Sequence, residues 1–277
     1  MNKFKLFLGA SILLAVSAQA NENLIINGGF EEPLVLDQIL NYEYRIGTEL
    51  TGWEVFSDSS GTVHFNSNYA LVSEGNQAAQ LEFPDDGIAQ DFVTIPNKLY
   101  TLSLDVSAFL RFVPNSFLGI SVGLFSTQVI GSADEYETHT FTFLANSTIT
   151  TLTLTNQGAF GTFPHVDNVS IVPTATPVTI DIKPGSDPVC NGVIPIAILG
   201  SDTLDVIQID QTTLSFEGKG VRVSGNGALS CNIRDANRDG YDDLICRYED
   251  TTTKGALTGE LLDGTLIEGA DTLCLGN

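Results

Sequence analysis

Apolar and polar residues alternate along most of the chain beyond residue 20, in short runs separated by Gly, Asn, Asp and Pro. In HTFTFLA and TLTLTN, threonine alternates with apolar residues. A period of two sends one set of side chains to a core and the other to solvent, as in a half-buried antiparallel strand. Helical periodicity is nearly absent from this part of the sequence. Successive strands without intervening helices predict an all-β protein built as a sandwich or jelly roll.

The predicted strands fall into two groups. The first group contains GIAQDFVTI, LYTLSLDVSAFL, LGISVGLF, ETHTFTFL, TITTLTLTN and HVDNVSIV, and the second contains VTIDI, GVIPIAIL, TTLSFEG, GVRVSG, DDLICRY and GTLIEGADTLCL. Between them, VPTATPV carries two prolines and favours an extended connection that is poor in hydrogen bonds. We therefore predict one domain over residues 21–173, a linker at 174–177, and a smaller β-sandwich over 178–277.

Residues 1–20 have the pattern of a secretory signal peptide. Lys3 and Lys5 precede the apolar run LFLGASILLAV, and AQA forms a small-residue cleavage site. The apolar run is shorter than the roughly 20 residues that a membrane span needs. We expect a protein without a membrane span that is secreted, either periplasmic or extracellular.

The chain is strongly acidic. It has 34 Asp and Glu against 12 Lys and Arg, a formal charge of −22. Such a surface repels phosphate backbones, so nucleic acid is not an expected partner. The charge suits a calcium-rich extracellular setting, although an acidic excess is also typical of an ordinary solvated surface.

All four cysteines lie in the second half of the chain, at Cys190, Cys231, Cys246 and Cys274. An even number of cysteines in an exported chain favours two disulfides, and four cysteines allow three pairings. Because Cys231 and Cys246 flank one acidic loop, we favour that pair, which leaves Cys190 with Cys274. A zinc site is disfavoured, since no C-x-x-C spacing occurs.

The acidic loop between those cysteines, RDANRDGYDD, has the spacing of a calcium loop. Its candidate oxygen ligands are Asp235, Asn237, Asp239, Asp243 and the carbonyl of Tyr241. Calcium takes six to eight oxygen ligands, and Gly240 permits the sharp turn. Helix-flanked loops of this kind need a Glu at position twelve, where this chain has Cys246. The sequence therefore favours a strand-flanked calcium loop, with an ion-free acidic turn as the alternative.

The first domain carries a second set of motifs. NLIINGGFEEP is followed by Gly52-Trp53, GNQAAQLEF, GIAQDF and HVDNVSIV. Together they resemble the galactose-binding-like jelly rolls of secreted carbohydrate-binding proteins, most closely the cell-wall-associated, choice-of-anchor-like group called domain of unknown function 642. The resemblance covers nearly all of residues 23–173. It implies a structural calcium that joins the first strand to the last through Glu31 and Asp167. Alternatively, both are capping or turn carboxylates.

The second domain resembles a module that is appended to many exported bacterial proteins. The matching segments are VTIDIKPGSDPVCNGVIPIAILGSD, the D-x-N-x-D-G loop and LTGELLDGTLIEGADTL, over nearly all of 178–274. The resemblance identifies a module without an established activity. It supports calcium as the cofactor of this domain.

Aromatic residues in the predicted loops are the candidate sugar-binding groups. Carbohydrate sites use exposed aromatic faces with a few orienting polar groups. The candidates are Tyr42, Tyr44, Arg45, Phe109, Arg111, Phe112 and Phe163. Loop aromatics also commonly plug the ends of a sandwich, so that reading stays open. Trp53 begins a predicted strand and is expected in the core.

Signals for catalysis are weak. GISVG fits G-x-S-x-G, but it lies in an alternating strand and not at the strand–turn–helix of a nucleophile elbow. We therefore expect a secreted, non-catalytic protein that binds a carbohydrate or another extracellular-matrix or cell-wall polymer, with calcium as a structural ion. The alternatives are a structural or adhesive surface protein with protein partners and, third, a hydrolase of unknown type.

Overall fold

The structure, a computed structural model, describes residues 22–56, 61–108, 116–132, 135–182, 193–249 and 254–272. The predicted signal peptide at 1–20 lies outside the described residues. In the described part of the chain, no helix is both long and apolar enough to cross a membrane.

The first domain is a sandwich of two antiparallel sheets, as the alternation predicts. Its described strands are β1 (Tyr42–Arg45), β2 (Gly47–Leu50), β3 (Trp53–Phe56), β4 (Thr62–Asn66), β5 (Gln77–Gln80), β6 (Gly87–Val93), β7 (Leu99–Ala108), β8 (Ser116–Val122), β9 (Phe125–Gly131), β10 (Glu137–Leu144), β11 (Ile149–Asn156) and β12 (Pro164–Pro173). Sheet A has the order β1-β4-β5-β12-β7-β10, and sheet B the order β2-β3-β6-β11-β8-β9. The prediction of an all-β jelly-roll sandwich is confirmed.

The inward faces of the two sheets form one apolar core. Trp53 is 1% exposed, and its ring stacks on Phe30 at a centroid distance of 5.4 Å. Its indole Nε1 donates to the carbonyl of Asn27 at 3.1 Å, so the buried N–H of the ring has a hydrogen-bond partner. The predicted core role of Trp53 is confirmed.

The start and the end of this domain lie side by side. Leu24 N donates to Ile171 O at 2.8 Å, and Val169 N donates to Gly28 O at 2.9 Å. Any side chain at Gly28 would collide with the carbonyl of Val169, so the close approach requires glycine. The N-G-G-F-E and D-N-V motifs are therefore neighbours in space.

The second domain is a smaller sandwich. Its described elements are β13 (Thr176–Pro177), β14 (Ile180–Ile182), β15 (Ile194–Ile198), the short 3₁₀ helix η1 (Val206–Gln208), β16 (Ile209–Phe216), β17 (Lys219–Gly220), β18 (Cys231–Arg234), β19 (Asp243–Tyr248), β20 (Lys254–Leu261) and β21 (Leu266–Thr272). Sheet C has the order β13-β21-β20-β16-β17, and sheet D the order β14-β15-β19-β18. Isoleucines of β14 and β15 pack with Phe216, Leu244 and Tyr248 between the two sheets.

The predicted linker is extended, but it is not poor in hydrogen bonds. Thr174 N donates to Leu99 O at 2.9 Å, and Thr176–Pro177 pairs in parallel with β21. Beside it, Lys98 Nζ of the first domain contacts Asp263 Oδ2 of the second at 2.9 Å. The connection is therefore hydrogen-bonded to both domains, and an ion pair joins the two domains beside it.

Candidate functional site

Three tyrosines form a cluster on the outer face of sheet A. We call Tyr42, Tyr44 and Tyr69 the aromatic face. Tyr42 and Tyr44 pair with Phe65 and Val63 in the register of β1 with β4, so they lie on one side of the sheet. The Tyr42 ring is 5.7 Å from that of Tyr44 and 5.0 Å from that of Tyr69. Tyr44 remains 48% exposed and presents its ring to solvent.

The aromatic face rests on buried rings. Phe65 is fully buried, with its ring centroid 5.5 Å from Tyr69 and 4.7 Å from His165. Val63, Ala78, Ala70 and Val72 fill the space around them. The positions of Tyr42 and Tyr69 are thus fixed by packing, and Tyr44 extends from a rigid support.

A row of polar side chains runs across the strands beside the aromatic face. His165 Nε2 lies 2.7 Å from Gln80 Oε1, and Gln80 Nε2 donates to Glu82 Oε1 at 3.0 Å. Because Gln80 Oε1 can only accept, His165 Nε2 carries the proton. Burial lowers the pKa of His165 to about 3, so this ring is neutral.

Glu82 is the end of that row nearest to solvent. Burial raises the pKa of its carboxyl, while the hydrogen bond from Gln80 opposes the shift. Its charge in turn helps to raise the pKa of Tyr44, after the larger effect of burial. The carboxyl of Glu82 therefore lies within electrostatic reach of Tyr44, on the side of the sheet that carries the aromatic face.

The other predicted sugar-binding residues lie in different places. Arg45 alternates to the opposite side of β1, where it pairs with Glu43 and is mostly buried. It therefore does not contribute to the aromatic face. Phe163 is half-buried, next to Pro164 at the start of β12. Phe109, Arg111 and Phe112 lie outside the described residues.

The loop between β4 and β5, residues 67–76, folds across the outer face of sheet A, and we call it the strap. It carries Tyr69, and at its far end Ser73 Oγ donates to Asp105 of β7. Ser73 N and Glu74 N donate to Asp167 Oδ2 at 2.8 and 2.9 Å. The strap is thus tied to β7 and β12, which lie beyond its own two strands.

The two carboxylates of the predicted calcium clip both anchor this strap. Glu31 Oε1 accepts from Asn76 N at 2.6 Å and from Gln77 N at 2.9 Å. Asp167 is fully buried and receives Ser73 and Glu74 on one oxygen and Asn168 N at 2.7 Å on the other. Both carboxylates thus accept backbone N–H groups at the far end of the strap, as the alternative of capping or turn carboxylates describes.

Asp167 pairs with Asp105 across β12 and β7. Burial raises the pKa of Asp167 to about 7, against the opposing effect of three backbone N–H groups. Burial also acts to raise the pKa of Asp105, but hydrogen bonds from Ser73, Thr138 and Asn168 outweigh it, so the pKa falls. The pKa values of the two neighbouring carboxyls are therefore shifted in opposite directions, up for Asp167 and down for Asp105.

The acidic loop of the second domain is closed by its own side chains. Asp235 accepts from Arg238 N at 2.6 Å and Gly240 N at 3.1 Å, and Asn237 Nδ2 donates to Asp239 at 2.8 Å. Arg238 and Gly240 both have positive φ, of 68° and 95°, which winds the loop tightly. Tyr241 N donates to Asp239 Oδ1 at 2.9 Å.

Asp243 has a different setting from the other acids of the loop. It is fully buried, and its two oxygens accept from Gly200 N at 3.0 Å and Ala236 N at 2.7 Å. The remaining candidates are oxygen donors at the surface, the chemistry that calcium prefers. Within the described ranges, however, no three Asp, Glu, His or Cys side chains converge as a metal centre. Calcium therefore stays a prediction at this loop and at the strap.

The disulfide between Cys231 and Cys246 is present, as predicted. The two cysteines are directly paired residues of β18 and β19, on the two arms of the acidic loop. Cys190 and Cys274 lie outside the described residues.

Sequence reasoning did not single out Gln80, Glu82 or Asp105. Gln80 and Glu82 are alternate residues of GNQAAQLEF, and Asp105 falls among the polar positions of LYTLSLDVSAFL. Alternation alone would have marked them as outward-facing residues. Their partners come from strands up to 85 positions away, and no local pattern indicates such pairs.

The model of one protein family matches residues 23–172, more than half of the chain; the family is described as "Protein of unknown function (DUF642)". Halomucin from Haloquadratum walsbyi is 31% identical over 180 residues, which are 61% of this chain and 2% of that protein. The chain thus spans a very small part of the length of that relative.

Among solved structures, the chain is similar to TmCBM61 in complex with beta-1,4-galactotriose, with 14% identity and a TM-score of 0.43 over 56% of this chain and all of that one. It is also similar to the CBM22-1 xylan-binding domain of Paenibacillus barcinonensis Xyn10C, with 13% identity and a TM-score of 0.39 over 57% and 97% of the two chains.

Proposed function

The chain belongs to the DUF642 family, and on that premise we propose that it is a secreted, non-catalytic protein that binds a neutral polysaccharide through its aromatic face. The observation that carries the proposal is the half-exposed ring of Tyr44, held at the edge of the tyrosine cluster with the carboxyl of Glu82 within electrostatic reach. An aromatic ring packs on the C–H face of a sugar, and a carboxylate accepts hydrogen bonds from its hydroxyl groups.

The charge of the protein narrows the class of ligand. With a formal charge of −22, the surface repels acidic polysaccharides at moderate ionic strength. A neutral glycan has no such penalty, because its hydroxyl groups donate to carboxylates without bringing charge. We therefore infer that the ligand is a neutral polysaccharide of the extracellular matrix or cell wall.

The support of the site favours binding by a preformed surface. Tyr42 packs between Tyr44 and Tyr69, while Phe65 lies buried beneath Tyr69. Because these rings are held by the sheet and the strap, little side-chain freedom is lost when a sugar binds. The non-catalytic assignment has its own support: Ser121 of the GISVG motif lies inside strand β8 and not at a strand–helix turn.

The proposal includes calcium as a structural ion. Glu31 and Asp167 lie at the far end of the strap, and Asp235, Asn237 and Asp239 line the acidic loop. All of them offer hard oxygen ligands, and the bound ion would supply positive charge that holds these carboxylates together. An ion that binds only the folded state adds stability that grows with its concentration.

The calcium proposal is tested by melting curves. The rise in melting temperature that calcium gives the wild-type protein over chelator should be absent from the variant Asp235→Ala/Asp239→Ala, which also melts lower in chelator because it lacks the hydrogen bonds that close the loop. Equal melting temperatures for the wild-type protein in calcium and in chelator would refute both ion sites.

The carbohydrate proposal is tested with a neutral-glycan array and with insoluble galactan, xylan and cellulose in calcium-containing buffer. Tyr44→Ala should abolish retention. Leu124→Ala is the matched control, because it removes an exposed apolar side chain from the turn between β8 and β9 of the other sheet. No retention of the wild-type protein on any glycan, or equal retention of both variants, would overturn the proposal.

An adhesive role is the second candidate function. Leu34, Leu36, Ile39 and Leu40 are exposed in the segment before β1, and Ile39 is 90% exposed. Clustered exposed apolar groups are typical of interaction sites. If this segment joins two copies of the chain, sedimentation will show a dimer that Leu36→Ser/Ile39→Ser dissociates while glycan retention is unchanged. A monomeric wild-type protein would exclude this form of adhesion.

A further inference from the structure

A groove of about 410 Å³ opens where the edges of sheets A and B meet. It is lined by Ile46, Gly47, Val55, Phe56, Pro84, Asp85 and Asp86. The ring of Phe56 and the side chain of Ile46 are exposed along it. No lysine or arginine lines the groove among the residues that the structure describes.

The aromatic wall of the groove is built into sheet B. Phe56 pairs with Gly87 in the register of β3 with β6, and its ring lies directly over that glycine. A side chain at Gly87 would collide with the ring, so glycine is what allows Phe56 to lie against the sheet. Two atoms of the ring are packed in this way, and 37% of the residue stays exposed.

The opposite wall is a turn that holds two carboxylates. Asp86 is buried, and its Oδ2 accepts from Phe83 N at 3.1 Å. Asp85 is exposed, and its φ of 68° is held by the bond from its N–H to Asn156 O at 2.8 Å. A non-glycine residue in this region is uncommon and is tolerated best by Asp and Asn. The turn therefore fixes one open carboxylate at the rim of the groove.

The groove and the aromatic face are parts of one surface. Ile46 follows Tyr44 by two residues, and Pro84 follows Glu82 by two residues. Two residues of extended chain span at most about 7 Å, so the two sites adjoin along both chain segments.

We propose that the groove is a second sugar subsite, so that the protein binds the interior of an extended neutral polysaccharide chain and not a single terminal sugar. This inference rests on the proposed function and deepens it. The ring of Phe56 packs on one sugar, as Tyr44 does on another, and Asp85 accepts from its hydroxyl groups. Both subsites must be filled at once for full affinity, which a short oligosaccharide cannot achieve.

The test compares ligands of two lengths. Affinities of the intact protein are measured by calorimetry for β-1,4-linked galacto-, xylo- and cello-oligosaccharides of two and six sugars. Phe56→Ala should weaken binding of the six-sugar ligand about tenfold and leave the two-sugar ligand unchanged. Tyr44→Ala should weaken both. The matched control is Val93→Ala, which removes an exposed apolar group from the far end of β6 in the same sheet.

Two further variants keep the test decisive. Phe56→Leu preserves apolar packing on Gly87 but lacks the ring, so it replaces Phe56→Ala if the fluorescence of Trp53 shows that the alanine variant is unfolded. Asp85→Asn keeps an acceptor oxygen and suits a positive φ, so affinity should stay within about twofold. Suppose that Asp85→Asn and chelator each make the affinity for the six-sugar ligand equal to that for the two-sugar ligand. The groove then binds a cation, and the inference is wrong.

The outcomes separate this inference from the function on which it rests. Equal six-sugar affinity in Phe56→Ala and the wild-type protein, with loss in Tyr44→Ala, would overturn the second subsite and leave the proposed function intact. Binding of no oligosaccharide by the wild-type protein would overturn both. A tenfold loss confined to the longer ligand supports the extended chain.

Discussion

Gly75, in the strap, offers the sharpest test of how this loop is held. Its φ is +60°, and a methyl group there would collide with Oε1 of Glu31, the oxygen that accepts from Asn76 and Gln77. Gly75→Ala should therefore impose two costs, backbone strain and the loss of the Glu31 anchor. Gly47 is the matched control, because its φ is +52° and no atom lies within 4 Å of the position that a methyl group would take.

The magnitudes differ enough to measure. Left-handed backbone costs an L-residue about 1 kcal/mol, which both variants share. Hydrogen bonds to a charged group contribute about 1.5 kcal/mol each, and we reduce this to about 1 kcal/mol for the partial exposure of Glu31. Gly47→Ala should thus lose about 1 kcal/mol and Gly75→Ala about 3 kcal/mol. For a domain of this size, these losses lower the melting temperature by about 3 °C and about 9 °C.

The assay uses the only tryptophan of the protein. Trp53 is buried in the core of the first domain, so its fluorescence reports unfolding of that domain alone. In a Glu31→Ala background, the cost of Gly75→Ala should fall to that of Gly47→Ala, because the anchor is already absent. Equal losses for the two glycine variants in the wild-type background would refute the role of Glu31 in holding the strap.

Three further predictions follow from buried or bridging groups. Burial lowers the pKa of His64 below its ordinary 6.5, so the unfolded chain binds a proton more readily than the folded one, and His64 makes the folded state less stable as pH falls below about 6.5. Between pH 7 and pH 5, the melting temperature should therefore fall less for His64→Gln than for the wild-type protein. Parallel curves of melting temperature against pH would contradict this prediction. Replacing Cys231 and Cys246 with serine opens a loop with a sequence separation of 15, and hydrogen exchange of β18 and β19 should show a loss of about 3 kcal/mol, whereas unchanged protection would refute it. Lys98→Glu should replace the attraction to Asp263 with repulsion and cost up to about 1 kcal/mol of stability, and adding Asp263→Lys should recover it; melting temperatures that are the same in all three proteins would contradict the contact.

The period of two predicted most of the strands because it is a local property. ETHTFTFL coincides with β10, and TITTLTLTN contains β11. The same rule assigns Tyr44 and Arg45 to opposite faces of β1, since they are adjacent in the chain. Arg45 accordingly pairs with Glu43 on the other side of β1, away from the tyrosines.

The candidate site could be predicted only in part, because its row of polar side chains depends on which strands pair and in what register. His165 and Gln80 lie on paired strands that are distant in sequence, and Glu82 follows just after the end of β5. The groove has the same origin, since Phe56 meets the turn at Asp85 only when β3 pairs with β6. Alternation tells which residues face outward, but the order of the strands decides which of them meet.

The strap connects the two predicted carboxylates to the aromatic rings. Glu31 and Asp167 were predicted as ion ligands and the tyrosines as sugar contacts, on separate grounds. In the structure, both carboxylates hold the end of a loop whose beginning carries Tyr69, and Tyr69 packs 5.0 Å from Tyr42. Because a loop tied at its far end has fewer conformations at its near end, the acids contribute to the order of the aromatic face. The residues that set the fold at this edge are therefore also those that position the rings for a ligand.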